Sequence, residues 1–151
     1  MIDEQASNSV IALATMLIDA MQQVSPQWSR AYLRLQADDD GMSARISYVN
    51  AAGVELLGSI DYSTVYKQAI ELGTRLKEFT DTGRRPFKVC LVIADAAFNY
   101  DVLFEYDDAG KWAITKLDGA SGIPVGIEDT KLAEALPAQG ARPRPWYKFW
   151  S

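Results

Sequence analysis

Arg30-Ala31-Tyr32-Leu33-Arg34-Leu35-Gln36-Ala37-Asp38-Asp39-Asp40-Gly41-Met42-Ser43-Ala44-Arg45-Ile46-Ser47-Tyr48-Val49 is the stretch that decides the fold. Ala31, Leu33 and Leu35 alternate with Arg30, Tyr32 and Arg34. Met42, Ala44, Ile46 and Tyr48 alternate with Ser43, Arg45 and Ser47. Side chains on a strand point to opposite faces in turn, so each run has one face turned to a core and one turned away. Between them, Asp38-Asp39-Asp40-Gly41 has the composition of a tight hairpin turn with Asp-Gly at its end. The reading is two antiparallel strands over Arg30–Ala37 and Met42–Val49. A third strand follows over Val54–Ile60, after the Asn50–Gly53 turn.

On either side of these strands the apolar period changes from two to about 3.6. Val10, Leu13, Ala14, Leu17, Ile18 and Met21 recur at helical spacing and predict an amphipathic helix from Glu4 to Val24. Ser25-Pro26 stops it, because a residue before proline is pushed out of the α region. Tyr62, Val65, Tyr66, Ala69, Leu72, Gly73, Leu76 and Phe79 form a second stripe over Tyr62–Thr80, with Asp61 as its N-cap and Gly83 as its stop. Phe87–Ala94, Phe98–Tyr106 and Lys111–Lys116 then read as three more strands, whose short links favour an antiparallel meander. Asp118–Gly126 is rich in turn residues, and Glu128–Leu136 predicts a short helix closed by Pro137.

The order is helix, three strands, helix, three strands, tail. It predicts a two-layer α+β fold with amphipathic helices packed on an antiparallel sheet. Residues 1–137 form the single domain, and residues 138–151 form a proline- and aromatic-rich tail.

Composition narrows the functions. At 151 residues the chain is long enough to bury roughly 70% of its unfolded surface without a disulfide or a metal. Its hydrophobic fraction, 48%, is that of a folded domain. Cys90 is the one cysteine, so no internal disulfide forms. It lies among Val89, Leu91 and Val92, where an inert core thiol is expected. The chain contains no histidine, which removes the commonest general base and the commonest metal ligand. Triads built on histidine and zinc sites of the usual spacing are excluded, and neither a catalytic role nor a cofactor is expected.

With 15 basic against 20 acidic residues the formal net charge is −5, which opposes direct binding to nucleic acid and favours a basic protein partner. No stretch approaches ~18 uncharged apolar residues, so no membrane span is expected. The start, Met1-Ile2-Asp3-Glu4-Gln5, is acidic where a secretory signal is basic; the expectation is a cytoplasmic protein.

Acidic residues supply the candidates for binding. In Tyr100–Asp108, strand alternation puts Asp101, Glu105 and Asp107 on one face, with Tyr100, Val102, Phe104 and Tyr106 on the other. Asp101 and Glu105 stand ~13 Å apart along a strand, too far for the paired carboxylates of a glycosidase; Glu105 and Asp107 are within reach, but nothing else in the sequence supports a sugar site. Asp38-Asp39-Asp40 resembles the start of a calcium loop only superficially, since position twelve of that loop is Val49. Asp118-Gly119-Ala120-Ser121-Gly122 matches neither phosphate-binding glycine pattern. The expected partner contacts are Asp101, Glu105, Asp107 and Asp108, with Asp38, Asp39 and Asp40 as a second patch and Trp112 as an aromatic anchor. The tail, Arg142-Pro143-Arg144-Pro145-Trp146-Tyr147-Lys148-Phe149-Trp150, interleaves bases with aromatics and is expected to dock on the domain itself or on a partner.

Several of these stretches, taken in order, resemble the YezG-like immunity proteins of bacterial polymorphic-toxin systems. They are the first helix ending at Ser25-Pro26-Gln27-Trp28, Ala31-Tyr32-Leu33, Ile46-Ser47-Tyr48 and the long helix Tyr62–Thr80. Arg85-Pro86-Phe87 and the strand Phe98–Tyr106 with Asp107-Asp108 complete the set. The likeness spans residues 10–117. Two features depart from it: Glu105 stands ahead of Tyr106, with Asp107-Asp108 directly behind, and the tail follows Ala138. The resemblance implies a small cytoplasmic protein that neutralises a cognate toxin by stoichiometric binding. A basic nuclease is the toxin class that an acidic inhibitor suits. The alternative is a secretion chaperone or adaptor for an effector protein. A carboxylate-dependent metallohydrolase is the third reading, and the oligomeric state stays open, a homo-oligomer included.

Overall fold

The computed structural model describes residues 4–80 and 86–127. Its elements are α1 (Glu4–Val24), β1 (Arg30–Asp38), β2 (Gly41–Asn50), β3 (Gly53–Leu56), α2 (Ser63–Thr80), β4 (Val89–Asp95) and β5 (Tyr100–Glu105), then a 3-10 turn at Leu117–Gly119. The five strands form one antiparallel sheet in the order β3-β2-β1-β4-β5. The α+β class, the antiparallel sheet and the helix–strand order through β5 are as the residues predict. The expected helix at Glu128–Leu136, the stop at Gly83 and the tail lie outside the described residues. No helix among the described residues is long and apolar enough to cross a membrane.

Both helices pack on one face of the sheet. Val10, Leu13, Leu17 and Met21 of α1 and Tyr66, Ala69 and Leu76 of α2 meet Ala31, Leu33, Leu35, Ile46, Cys90, Val92 and Val102 in a single core. Each fully buried leucine contributes about 1.5–3 kcal/mol relative to exposure. Gly73 lets α2 approach the sheet, because a Cβ there stands 2.9 Å from a methyl of the buried Leu35.

The opposite face is also covered. Tyr32, Leu91, Ile93 and Ile114 form a second cluster, with Trp112, Ile123 and Ile127 packed against it. This cover replaces the sixth strand expected over Lys111–Lys116. The segment runs irregularly across the sheet, with Trp112 in the left-handed region at φ 58°. Ladder pairing beside β5 would have pointed alternate residues away from the sheet. The irregular path instead brings Trp112 and Ile114 onto the second face, where Val125 N–H donates to the Ala113 carbonyl at 3.0 Å.

β3 is shorter than the expected Val54–Ile60. After Leu57 N–H donates to the Ile46 carbonyl at 2.9 Å, the chain leaves the sheet and turns toward α2. Ile60 is left 89% exposed. Tyr66 N–H donates to the Tyr62 carbonyl, so Tyr62 rather than Asp61 stands at the helix start. Tyr66 ties this corner together: its hydroxyl accepts from Ile46 N–H at 3.1 Å and donates to the Leu57 carbonyl at 2.7 Å.

Two predictions follow from this packing. Tyr66→Phe leaves a buried donor and a buried acceptor without partners and is expected to cost about 1–3 kcal/mol, read from the urea midpoint. Burial pushes the Cys90 thiol far above its ordinary range. The unfolded thiol ionises near pH 8.5 while the folded one keeps its proton, so its stabilisation is complete at neutral pH and declines as pH rises. Stability is expected to fall by about 1.4 kcal/mol per pH unit above ~8.5 from this group alone. Cys90→Ala removes that slope in urea titrations between pH 8 and 10.

Candidate functional site

Backbone bonds carry one row across three strands. Ala37 N–H donates to the Lys88 carbonyl at 2.9 Å, and Lys88 N–H donates to the Glu105 carbonyl at 2.8 Å. The hairpin Asp38–Asp40 follows Ala37, and Asp107-Asp108 follows Glu105, so two acidic turns remote in sequence project from the same end of the sheet. With two strand spacings between them, they stand about 10 Å apart. A groove of about 430 Å³ opens beside the first of them, lined by Ala37, Asp38, Asp39, Lys77, Pro86, Phe87, Lys88 and Tyr106. Its apolar wall is built on a row of mutually tilted rings, with Phe87 and Phe104 centroids 5.5 Å apart and Phe104 and Tyr106 centroids 6.5 Å apart.

The acidic residues differ in what they have left to offer. Asp38, Asp39, Asp40, Asp107 and Asp108 are exposed. Asp38 accepts from Asp40 N–H at 2.9 Å and Asp108 accepts from Gly110 N–H at 2.9 Å, so one oxygen of each holds its own turn. Glu105 is more committed: one carboxylate oxygen accepts from Asp107 and Asp108 N–H at 3.0 Å each, and the other lies 3.9 Å from Lys111 Nζ. Its side chain is only 19% exposed. Asp101 sits apart in the register opposite Ile93, where it accepts from Val102 N–H at 2.9 Å. Strand alternation is as predicted, with Tyr100, Val102, Phe104 and Tyr106 on the helix face. Trp112 packs partly buried on the second cluster, with Lys111 Nζ 5.8 Å from its ring centroid.

Arg34 holds this end together, a role its place in the alternating run of β1 conceals. Its Nε donates to the Lys111 carbonyl, one terminal nitrogen donates to the Ala109 carbonyl, and the other donates to Gln36 Oε1, each at 2.8 Å. The guanidinium fork thereby fastens the Asp107–Trp112 turn to the sheet. Burial lowers the Arg34 pKa, the charge of Arg45 lowers it further, and Asp108 opposes both. Lys77 and Lys88 are the other residues whose place at this site no sequence motif marks; α2 carries Lys77 to the groove, and Lys88 stands just ahead of β4.

Among the described residues no group of three or more ligating side chains gathers to hold a metal ion. The arrangement suits recognition of a long cation: Asp38 and Asp39 stand at one rim, apolar side chains form a wall, and Lys77 and Lys88 limit how far the field is negative. Neither a scan of protein-family models nor a search of curated proteins finds a match to the chain.

Arg34→Met keeps the apolar stem and loses every donor. It is expected to lower stability by about 1–2 kcal/mol, since two of the bonds it removes are exposed and the third is part-buried, and to raise amide exchange in residues 107–112.

Proposed function

We propose that the protein is an immunity protein that neutralises a cognate bacterial toxin by stoichiometric binding. The observation that carries the reading is a groove with an aromatic wall edged by Asp38 and Asp39, with a second acidic turn, Asp107-Asp108, at the same end of the sheet. A lysine or arginine of a basic toxin, a nuclease among them, lays its apolar stem along Pro86 and Tyr106 and its charge beside Asp38 and Asp39. The net charge of −5 steers such a partner toward this surface. The resemblance of residues 10–117 to YezG-like immunity proteins supports the same reading. On this reading the chain acts in the cytoplasm of the toxin-producing cell, as an inhibitor and not as an enzyme. Asp101 and Trp112 lie away from the groove and contribute to binding less than the two turns do.

The test is co-expression with the protein encoded beside it, read by growth and by co-purification. A neighbour that is toxic alone and harmless in complex supports the reading; a neighbour that neither binds nor harms the cell refutes it. Within such a complex, the combined change of Asp38, Asp39, Asp107 and Asp108 to Asn keeps the turn acceptors while removing the charge. It is expected to weaken binding at least about tenfold at low salt and to flatten the salt dependence of association. Unchanged affinity in this variant would move the interface elsewhere.

A further inference from the structure

The edge of the sheet at β2 is open for a short, defined length. β3 pairs only with Ser47–Asn50, and Ile46 is occupied by Tyr66 and Leu57. Ile46 directs both its N–H and its carbonyl away from β1, and the alternation of an antiparallel ladder gives Ala44 and Met42 the same outward direction. Among the described residues no backbone group bonds to these two. Their side chains pack toward the helix-face core, while Ser43 and Arg45 are exposed on the other face.

We propose that this edge pairs with the same edge of a second copy of the chain. In the register that sets Met42 opposite Ala44 of the second copy, both outward residues of each strand exchange their two bonds, and no other residue is needed. Ser43 then faces its own counterpart on the two-fold axis, and one continuous sheet carries both helix layers on the same side. Charge selects this occupant. Arg45 falls opposite Gly41 of the second copy and beside Asp40 of its hairpin, and symmetry repeats the contact, so each copy supplies one cation and one anion. A Cβ at Gly41 meets nothing within 4 Å, which leaves room for the arginine. The paired length is short, and the dimer it makes is weak and concentration-dependent.

Ser43→Cys tests the register. At the axis the paired Cα atoms stand about 4.5 Å apart, within disulfide reach. The native Cys90 is fully buried and does not compete. Under mild oxidation this variant is expected to form a covalent dimer at least about tenfold faster than Glu71→Cys, an exposed position on α2. Ala44→Pro in the same background removes an outward N–H that no bond among the described residues uses and returns the rate to that of the control. Arg45→Asp leaves the backbone intact and also slows the reaction, and adding Asp40→Arg restores it. The unmodified chain gains mass with concentration in sedimentation equilibrium. Equal crosslinking at positions 43 and 71, a rate indifferent to both edge variants, or a chain that stays monomeric at every concentration overturns the proposal.

Discussion

The whole arrangement depends on the burial of the central β1–β4 pair on both faces. Every residue from Val89 to Ala94 is buried, so neither face of β4 can be left to water. The helices satisfy one face with a stripe each. The other needs an apolar cover that no regular element among the described residues supplies, and the irregular run from Trp112 to Ile127 provides it. That requirement explains why the chain after β5 lies across the sheet instead of extending it, and why an arginine is set where it can bind two carbonyls of the crossing turn.

Local periodicity made most of the fold legible. The helical stripes of α1 and α2 and the hairpin of β1 and β2 are complete patterns within short windows, and their partners in space do not change them. Tyr32 and Arg34 were unreadable for the opposite reason. They alternate with Leu33 and so belong to the face that looks polar, but Tyr32 is fully buried and Arg34 is a fastener, because the cover arrives from far along the chain. The apparent strand at Lys111–Lys116 failed on the same ground: its apolar spacing fits a ladder, and only the uncovered second face decides that it goes elsewhere.

The candidate site was legible in kind and not in arrangement. Acidic turns announce themselves by composition, and strand alternation assigned the faces of Tyr100–Glu105 correctly. Composition cannot say which carboxylates are already engaged. Glu105 caps two backbone amides of the turn that follows it, so its charge stiffens the platform from which Asp107 and Asp108 project. Nor can it say that two acidic turns share one end of the sheet, since that follows from the ladder of β1, β4 and β5.

The hydroxyl of Tyr66 has a consequence for colloidal behaviour. By occupying the amide of Ile46, it closes the exposed edge of β2 after residues 41–45. Growth of cross-β fibres by template addition uses uninterrupted segments of about six or seven residues. A side chain borrowed from a helix thus acts as a ruler on the sheet, holding the exposed template below the length at which accretion becomes self-propagating.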